Sequence, residues 1–384
     1  MRRPVICAAQ RTPFGRFLGG GADLSAADLG TAVAQSLLTE IPPTAIDQVI
    51  IGNVLGAGAG MNVARQIALR AGVPEAVPAL TINQVCGSGL QAVLLAAQAI
   101  RLGEAEAVLC GGAESMSNAP RLRRRAPESR PIAGGEDEGD ALLIDGLSDG
   151  VTGEGMGLTA ERLASEFAIG REAQDAYAIT SQERAVAAIV AGRFAAQLVP
   201  VGGLLRDEHP RGGLTMAKLG TLKTVFKADG TVTPGNSSGL NDGAALLVVA
   251  DLEVARARGW PVLAEIINGA TVGCDPQRMG LGPVVAVRAL LTRSGVDLAA
   301  IDAIEINEAF AVQTLACCRE LGLDPARINT DGGAIAFGHP LAASGARLLT
   351  QLAHRCATGS ARQALATACV GGGMGVAALL RTVS

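Results

Sequence analysis

The chain repeats itself. Ile46-Asp47-Gln48-Val49-Ile50-Ile51-Gly52-Asn53 is echoed 255 residues later by Ile301-Asp302-Ala303-Ile304-Glu305-Ile306-Asn307. Leu37-Leu38-Thr39 returns as Leu290-Leu291-Thr292, Ser88-Gly89 as Ser344-Gly345, and Cys110-Gly111-Gly112 is echoed by Cys369-Val370-Gly371-Gly372. Four matches in one order at nearly constant spacing require two similar halves, about 1–115 and 263–384. Inside each half, β-branched apolar runs alternate with Ala/Leu-rich stretches. Strands are expected over 48–53, 107–110, 303–307 and 365–369, and helices over 26–38, 88–102, 284–292 and 344–353. Such alternation builds layered α/β domains with buried sheets. The two layers would pack as pseudo-symmetric partners, with a ligand cleft at their junction.

The middle differs. It opens with a basic run, Arg121-Leu122-Arg123-Arg124-Arg125, then an acidic one, Glu136-Asp137-Glu138. Helices are expected over 159–168 and 172–191, and 202–235 is loop-rich. Residues 236–250 regain strand character. The expected organisation is therefore an N-terminal half, 1–115 plus 241–262, an inserted loop domain, 116–240, and a C-terminal half, 263–384.

Composition narrows what such a fold could do. Hydrophobic residues make up 49% of the 384 but aromatic ones only 2%, so the core is built from Ala, Val, Leu and Ile packed against many of the 50 glycines. A net charge of −4 argues against general nucleic-acid binding. No apolar run is expected to reach the ~18–20 residues of a membrane span. The start, Met1-Arg2-Arg3-Pro4-Val5-Ile6, passes almost directly into strand-like sequence without a targeting signal, and the expected location is cytoplasmic. The eight cysteines are scattered, which fits free thiols in a reducing compartment. Three histidines and no Cys-x-x-Cys pair argue against a zinc site, and no metal is expected.

Two of those cysteines sit against glycine-rich turns, in Val85-Cys86-Gly87-Ser88-Gly89 and Cys369-Val370-Gly371-Gly372-Gly373. Small neighbours let a ligand approach the sulfur. Cys86 precedes an expected helix, whose free N–H groups and dipole would lower the thiol pKa toward thiolate and could hold an oxyanion. The plain alternative is a buried core cysteine. His339, in Gly338-His339-Pro340, could take the Cys86 proton, or be a loop histidine satisfied by backbone. Cys369 could move a second proton, or be a strand-end core residue. Asn307 could orient a water or simply cap a helix. His354 reads as a helix-surface residue and His209 as part of a polar loop. The basic run and Arg211 could meet phosphate, or be solvated loop.

Taken in order, these segments resemble the thiolase family over nearly the whole chain. The resemblance is carried by Arg11-Thr12-Pro13-Phe14-Gly15, Cys86-Gly87-Ser88-Gly89-Leu90-Gln91, Gly112-Ala113-Glu114-Ser115-Met116-Ser117, Gly235-Asn236-Ser237-Ser238-Gly239-Leu240-Asn241-Asp242-Gly243, Asn307-Glu308-Ala309-Phe310, Gly338-His339-Pro340 and the Cys369 turn. It implies a duplicated α/β/α/β/α fold with an inserted loop domain, and reversible Claisen chemistry on acetyl-CoA and 3-ketoacyl-CoA. Coenzyme A thioesters would be substrates, with no further cofactor, and the chain would assemble as a homodimer or homotetramer. In that reading Cys86 carries the acyl group, His339 activates it and Cys369 moves the α-proton. One oxyanion hole combines His339 with a water on Asn307; the other uses the N–H groups of Cys86 and Gly371. Ser238 would touch the pantetheine and Arg211 the nucleotide end, with Met156, Met279, Phe226 and Phe310 around the acyl and pantetheine pocket. Short-chain biosynthetic members often carry His where this chain has Gly155, which suggests room for longer or branched acyl chains. A ketosynthase-type condensing enzyme would share the layers but lack a second reactive cysteine; a non-catalytic acyl-CoA or lipid binder would have lost one of Cys86, His339 and Cys369.

Overall fold

A computed structural model describes residues 2–123 and 138–383. The basic run from Arg124 onward and the acidic Glu136 and Asp137 lie outside the described residues. In the first half come β1 (Pro4–Arg11), β2 (Gly15–Arg16), α1 (Ala26–Leu37), β3 (Gln48–Gly52), α2 (Val63–Arg70), β4 (Ala79–Ile82), α3 (Ser88–Leu102) and β5 (Ala107–Ser115). The intervening segment holds β6 (Arg121–Arg123), β7 (Glu138–Asp140), α4 (Met156–Glu166), α5 (Arg171–Val190) and α6 (Met216–Gly220). The chain returns through β8 (Asn241–Asp251) and α7 (Leu252–Ala257). The second half adds β9 (Ala264–Gly273), α8 (Gly282–Ser294), β10 (Ala303–Ile306), α9 (Ala311–Leu321), α10 (Ala334–Phe337), α11 (Leu341–Ala357), β11 (Gln363–Val370) and β12 (Met374–Arg381). Local chemistry sets the limits of these elements. Ser25 and Asp28 form a reciprocal capping box that starts α1, and left-handed Gly103 ends α3.

Strand pairing displays the duplication. In the first half β4 and β5 flank β3 in parallel, and β8 joins β5 and β1 antiparallel to both. In the second half β11 pairs β10 in parallel, and β12 joins β11 and β9 antiparallel to both. A parallel bridge from Ile304 to Ile328 stands where β4 would be. Two expectations need correction. The half-sheets are not separate: Val5 pairs Glu265 and Ile6 pairs Ala264, so β1 and β9 join them into one path. The echo of Cys110 in Cys369 is not a structural match either. Ile50 pairs Cys110 whereas its counterpart Glu305 pairs Ala366, because hydrogen-bond register, not the recurrence of Cys and Gly, sets equivalence.

Five layers result. The central one is α3 and α11, whose Leu90, Val93, Ala97, Leu348, Leu349 and Leu352 pack between inward residues of both half-sheets. Helices α1 and α2 cover the outer face of the first half-sheet, and α8 and α9 that of the second. Every residue of β8 is buried, as a strand covered on both faces must be. The segment Val85–Leu102, with mean hydropathy 1.4, is long and apolar enough by length and composition to cross a membrane, contrary to the expectation above. Its apolarity has another cause: it is the mostly buried central helix.

Helix α11 meets α3 and strand β5 on bare backbone. A methyl on Gly89 would sit 2.2 Å, and one on Gly112 1.9 Å, from the Ala342 carbonyl oxygen, and one on Gly345 2.7 Å from the Leu90 Cβ. Gly89→Ala and Gly112→Ala are each expected to destabilise the fold by about 1–3 kcal/mol in urea unfolding, through overpacking. At the short β1/β9 junction Glu265 accepts from Arg3 (2.6 and 2.9 Å) and Arg381 (2.8 Å), which pulls its carboxyl down to about 2. A depressed carboxyl stabilises the fold above its ordinary pKa and loses that contribution as pH falls. The stability gap between wild type and Glu265→Gln should therefore be full at pH 6 and close between about pH 4.5 and 2 in urea midpoints.

Candidate active site

Cys86 occupies a tight turn between β4 and α3. Val85 before it is left-handed (φ 45), and Ser88 closes the turn, accepting from the Gln84 amide (2.8 Å) and donating to the Val85 carbonyl (2.7 Å). The backbone N–H groups of Gly371 and Cys86 face the Cys86 sulfur and favour its thiolate form. It packs against the cluster containing Met116, Leu341 and Ala342, the last two being the first residues of α11. Burial nevertheless pushes the thiol up to about 11, and the nearby Glu114 carboxylate adds to the shift. This overturns the expected thiolate: desolvation outweighs the helix terminus and two N–H groups. At neutral pH Cys86 is a thiol and needs a base.

His339 enters α11 from a turn that only glycine allows. Gly338 has φ 96, and a Cβ on it would fall 2.1 Å from the Asn241 side chain. Asn241 Oδ1 accepts the His339 amide (3.1 Å) while its Nδ2 donates to the Gly15 carbonyl (2.8 Å). The imidazole is buried, with Nδ1 2.6 Å from Ser344 Oγ and Nε2 3.4 Å from Asn307 Nδ2. Burial pushes its pKa down to about 4, assisted by the Arg347 cation. The ring is neutral at pH 7.

Asn307 follows β10, and its amide bonds the Thr367 carbonyl in β11 (2.9 Å). Its own Oδ1 is buried without a partner, as a site for one bound water would require. Cys369 lies two residues beyond Thr367, opposite Gly375 of β12. Burial, then the neighbouring Cys86, Cys317 and Cys274, hold its thiol well above the ordinary value. The turn after it, Gly371 to Gly373, docks on the inserted segment. Gly372 donates to Asp149 Oδ2 (3.1 Å), and a Cβ on Gly371 would lie 3.5 Å from Met156 Sδ and 3.4 Å from Val85. Cys86, Cys369 and Gly371 are thus one group, and His339 with Asn307 a second, joined through paired β10 and β11.

Met279, Phe310 and Cys369 share an apolar cluster with Met156 against it. Phe226 meets Phe310 edge-to-face at 6.2 Å and crowds Gly157, where a Cβ would lie 2.2 Å from its ring. Ser238 donates from both amide and hydroxyl to the Ala309 carbonyl (3.0 and 3.1 Å), which lays its loop along Phe310. Arg211 stands apart, exposed, beside a cavity of about 70 Å³ with His209, Lys218 and Leu222. His209 is not a free loop residue: its ring packs on Gly239, and burial pushes its pKa down to about 4. His354 is half-buried rather than superficial, with Nε2 2.9 Å from the Ala9 carbonyl.

Sequence reading missed the groups that hold these side chains. Glu308 accepts from Tyr177 (2.8 Å) and Ser181 (2.7 Å) of α5, from Asn329 (2.8 Å) and from the Ile335 amide (3.1 Å), tying the Asn307 and His339 loops to the inserted segment. Glu114 accepts from Asn53, Val54, Leu55 and the Ala342 amide, and burial raises its carboxyl to about 7. Both glutamates stand inside quoted motifs, yet nothing local shows that their partners are distant. Ser344 was visible only as half of a repeated Ser-Gly.

Comparison with known proteins agrees with this architecture. The family model "Thiolase, N-terminal domain" matches residues 4–253, and "Thiolase, C-terminal domain" matches residues 260–382. An acetyl-CoA acetyltransferase of Pseudomonas aeruginosa is 48% identical over 391 aligned residues, covering 99% of each chain. The crystal structure of human mitochondrial 3-ketoacyl-CoA thiolase in complex with CoA superposes with TM-score 0.96 at 41% identity, covering 100% of this chain and 98% of that one. The Bacillus anthracis acetyl-CoA acetyltransferase superposes with TM-score 0.95 at 38% identity, covering 100% and 99%. Two family models in tandem, full-length relatives and the five-layered fold make one statement: the chain belongs to the thiolase family.

Proposed function

We propose that this thiolase acts on 3-ketoacyl-CoA beyond the four-carbon substrate, through Cys86, His339 and Cys369 in distinct roles. The observation that carries the role assignment is the resting charge state: a thiol at Cys86, a neutral imidazole at His339 and a thiol at Cys369. Each proton therefore moves only when substrate arrives. Cys86 gives its proton to His339 Nε2 as its sulfur attacks the thioester carbonyl, and the C–S bond to CoA breaks. Cys369 passes its proton to the departing CoA sulfur and is left as thiolate. That thiolate takes the α-proton of the incoming acetyl-CoA. The enolate carbon attacks the Cys86 thioester, and Cys86 leaves, recovering its proton from His339. The balance closes with both cysteines as thiols and His339 neutral. Developing oxyanions meet the Gly371 and Cys86 N–H groups on one side, and His339 Nε2–H with a water on Asn307 on the other.

These roles separate experimentally. With Cys369→Ala, acetyl-CoA should still acetylate Cys86, seen by intact-protein mass spectrometry, while condensation falls below about one thousandth of wild type. With His339→Ala, acetylation itself should slow by about 10²- to 10⁴-fold. Acetylation of Cys86 at wild-type rate in the His339 variant would end the assignment of that residue as the base.

Chain length rests on Gly155. It begins α4 beside Met156, and a Cβ built there meets nothing within 4 Å. The space is open where a side chain would otherwise project. Turnover of C8 3-ketoacyl-CoA should reach within about tenfold of the C4 compound, and Gly155→His should lower C8 by a further 10- to 100-fold while changing C4 less, about 1–3 kcal/mol of discrimination. Strict C4 selectivity in the wild type would remove the proposal.

A further inference from the structure

We propose that Ser344 is a positioning residue that sets the tautomer of His339, keeping the ring proton on Nδ1 so that Nε2 meets the Cys86 thiol as a lone pair. The inference rests on the reading of His339 as the base for Cys86. Its first support is the short contact itself, 2.6 Å between Nδ1 and Ser344 Oγ, with the two residues 6% and 2% exposed, so that bulk water does not compete. Its second is the direction of the hydroxyl. Ser344 Oγ donates to the Pro340 carbonyl at 3.4 Å. A serine hydroxyl has one proton, so with that proton directed at Pro340 the shorter bond is donated by Nδ1. Its third lies across the ring: Nε2 faces Asn307 Nδ2 at 3.4 Å, and an amide nitrogen only donates. Both sides of the imidazole fit the same tautomer.

The duplication explains how this serine came to stand there. Ser88, its match in the repeated Ser-Gly, accepts the Gln84 N–H and donates to the Val85 carbonyl, closing the Cys86 turn. Ser344 repeats that pattern at the head of α11, donating to a main-chain carbonyl and accepting one N–H. In the second half the accepted N–H belongs to an imidazole instead of the backbone. During reaction the Cys86 proton arrives at Nε2, Nδ1–H stays on Ser344, and the imidazolium keeps its orientation with Nε2–H free to donate.

The chain has only three histidines, so ¹⁵N-histidine spectra of the whole protein resolve each ring. At pH 7 His339, identified by its loss in His339→Ala, should show a protonated Nδ1 and a bare Nε2. Ser344→Ala should shift that ring toward the Nε2–H form and lower kcat by about 10- to 100-fold with KM changed less than about twofold. Ser344→Thr, which keeps the hydroxyl, should restore the wild-type spectrum and most of kcat. A bare Nδ1 in the wild type overturns the proposal, and so does a Ser344→Ala protein that keeps both the Nδ1–H signal and its kcat. If Ser344→Ala does not fold, the wild-type and Ser344→Thr spectra still decide. Failure of the base assignment reads differently: His339→Ala would then acetylate Cys86 normally, whatever tautomer the wild type shows.

Discussion

Everything at the centre of this molecule depends on two helices touching without side chains between them. Helices α3 and α11 meet where Gly89 and Gly345 leave only backbone, Gly112 of β5 does the same beneath the start of α11, and the Ala342 carbonyl lies where a methyl on Gly89 or Gly112 would have to go. The closeness is functional because of what the helices carry at their N-termini. The turn before α3 presents Cys86, and the turn before α11 presents His339. Larger residues at the crossing would separate the helices and with them the two turns. A packing constraint with no chemistry of its own thus sets how close the Cys86 and His339 turns can come.

Burial then decides the charge state. The cysteines and the histidine are pushed toward neutrality by desolvation, in opposite directions on the pKa scale. A standing thiolate–imidazolium pair would suit a site that attacks whatever enters. Neutral groups hold their protons until an incoming group stabilises the charge being made. The positions of Gly371 N–H on the Cys86 sulfur and of unpartnered Asn307 Oδ1 beside His339 fit that logic, because those groups are in place before charge appears.

Much of this was legible in the chain. The repeats announced two halves, and glycine around Cys86, His339 and Cys369 marked places where backbone and ligand approach. What sequence could not weigh was competition. A helix N-terminus argued for a lowered Cys86 pKa, and burial, invisible in one dimension, reversed the sign. The Cys-Gly echo suggested that Cys110 and Cys369 were equivalent, and strand register moved the match to Ala366. Glu308 and Glu114 were read as motif letters because their partners come from segments far along the chain. Arg211, between Pro210 and Gly212, invites a phosphate reading on sequence, and the fold leaves it exposed beside a small cavity with His209.

The two halves differ most at one connection, and that difference explains how the turn after Cys369 comes to be covered by the inserted segment. In the first half the strands β5 and β8 are joined through the whole inserted segment; in the second, β11 and β12 are joined by Gly371, Gly372 and Gly373 alone. The long connection folds back over the place where the short one sits. Asp149 takes the Gly372 amide, Met156 covers Gly371, and Tyr177 and Ser181 hold Glu308 beneath the Asn307 and His339 loops. A symmetric dimer of halves would present two equivalent turns, each open to solvent. Lengthening one connection and shortening the other gives a cover from the first half and a bare glycine N–H from the second. The asymmetry of a single loop therefore turns a duplicated scaffold into one cluster, with Cys86 from one half and Asn307, His339, Cys369 and Gly371 from the other.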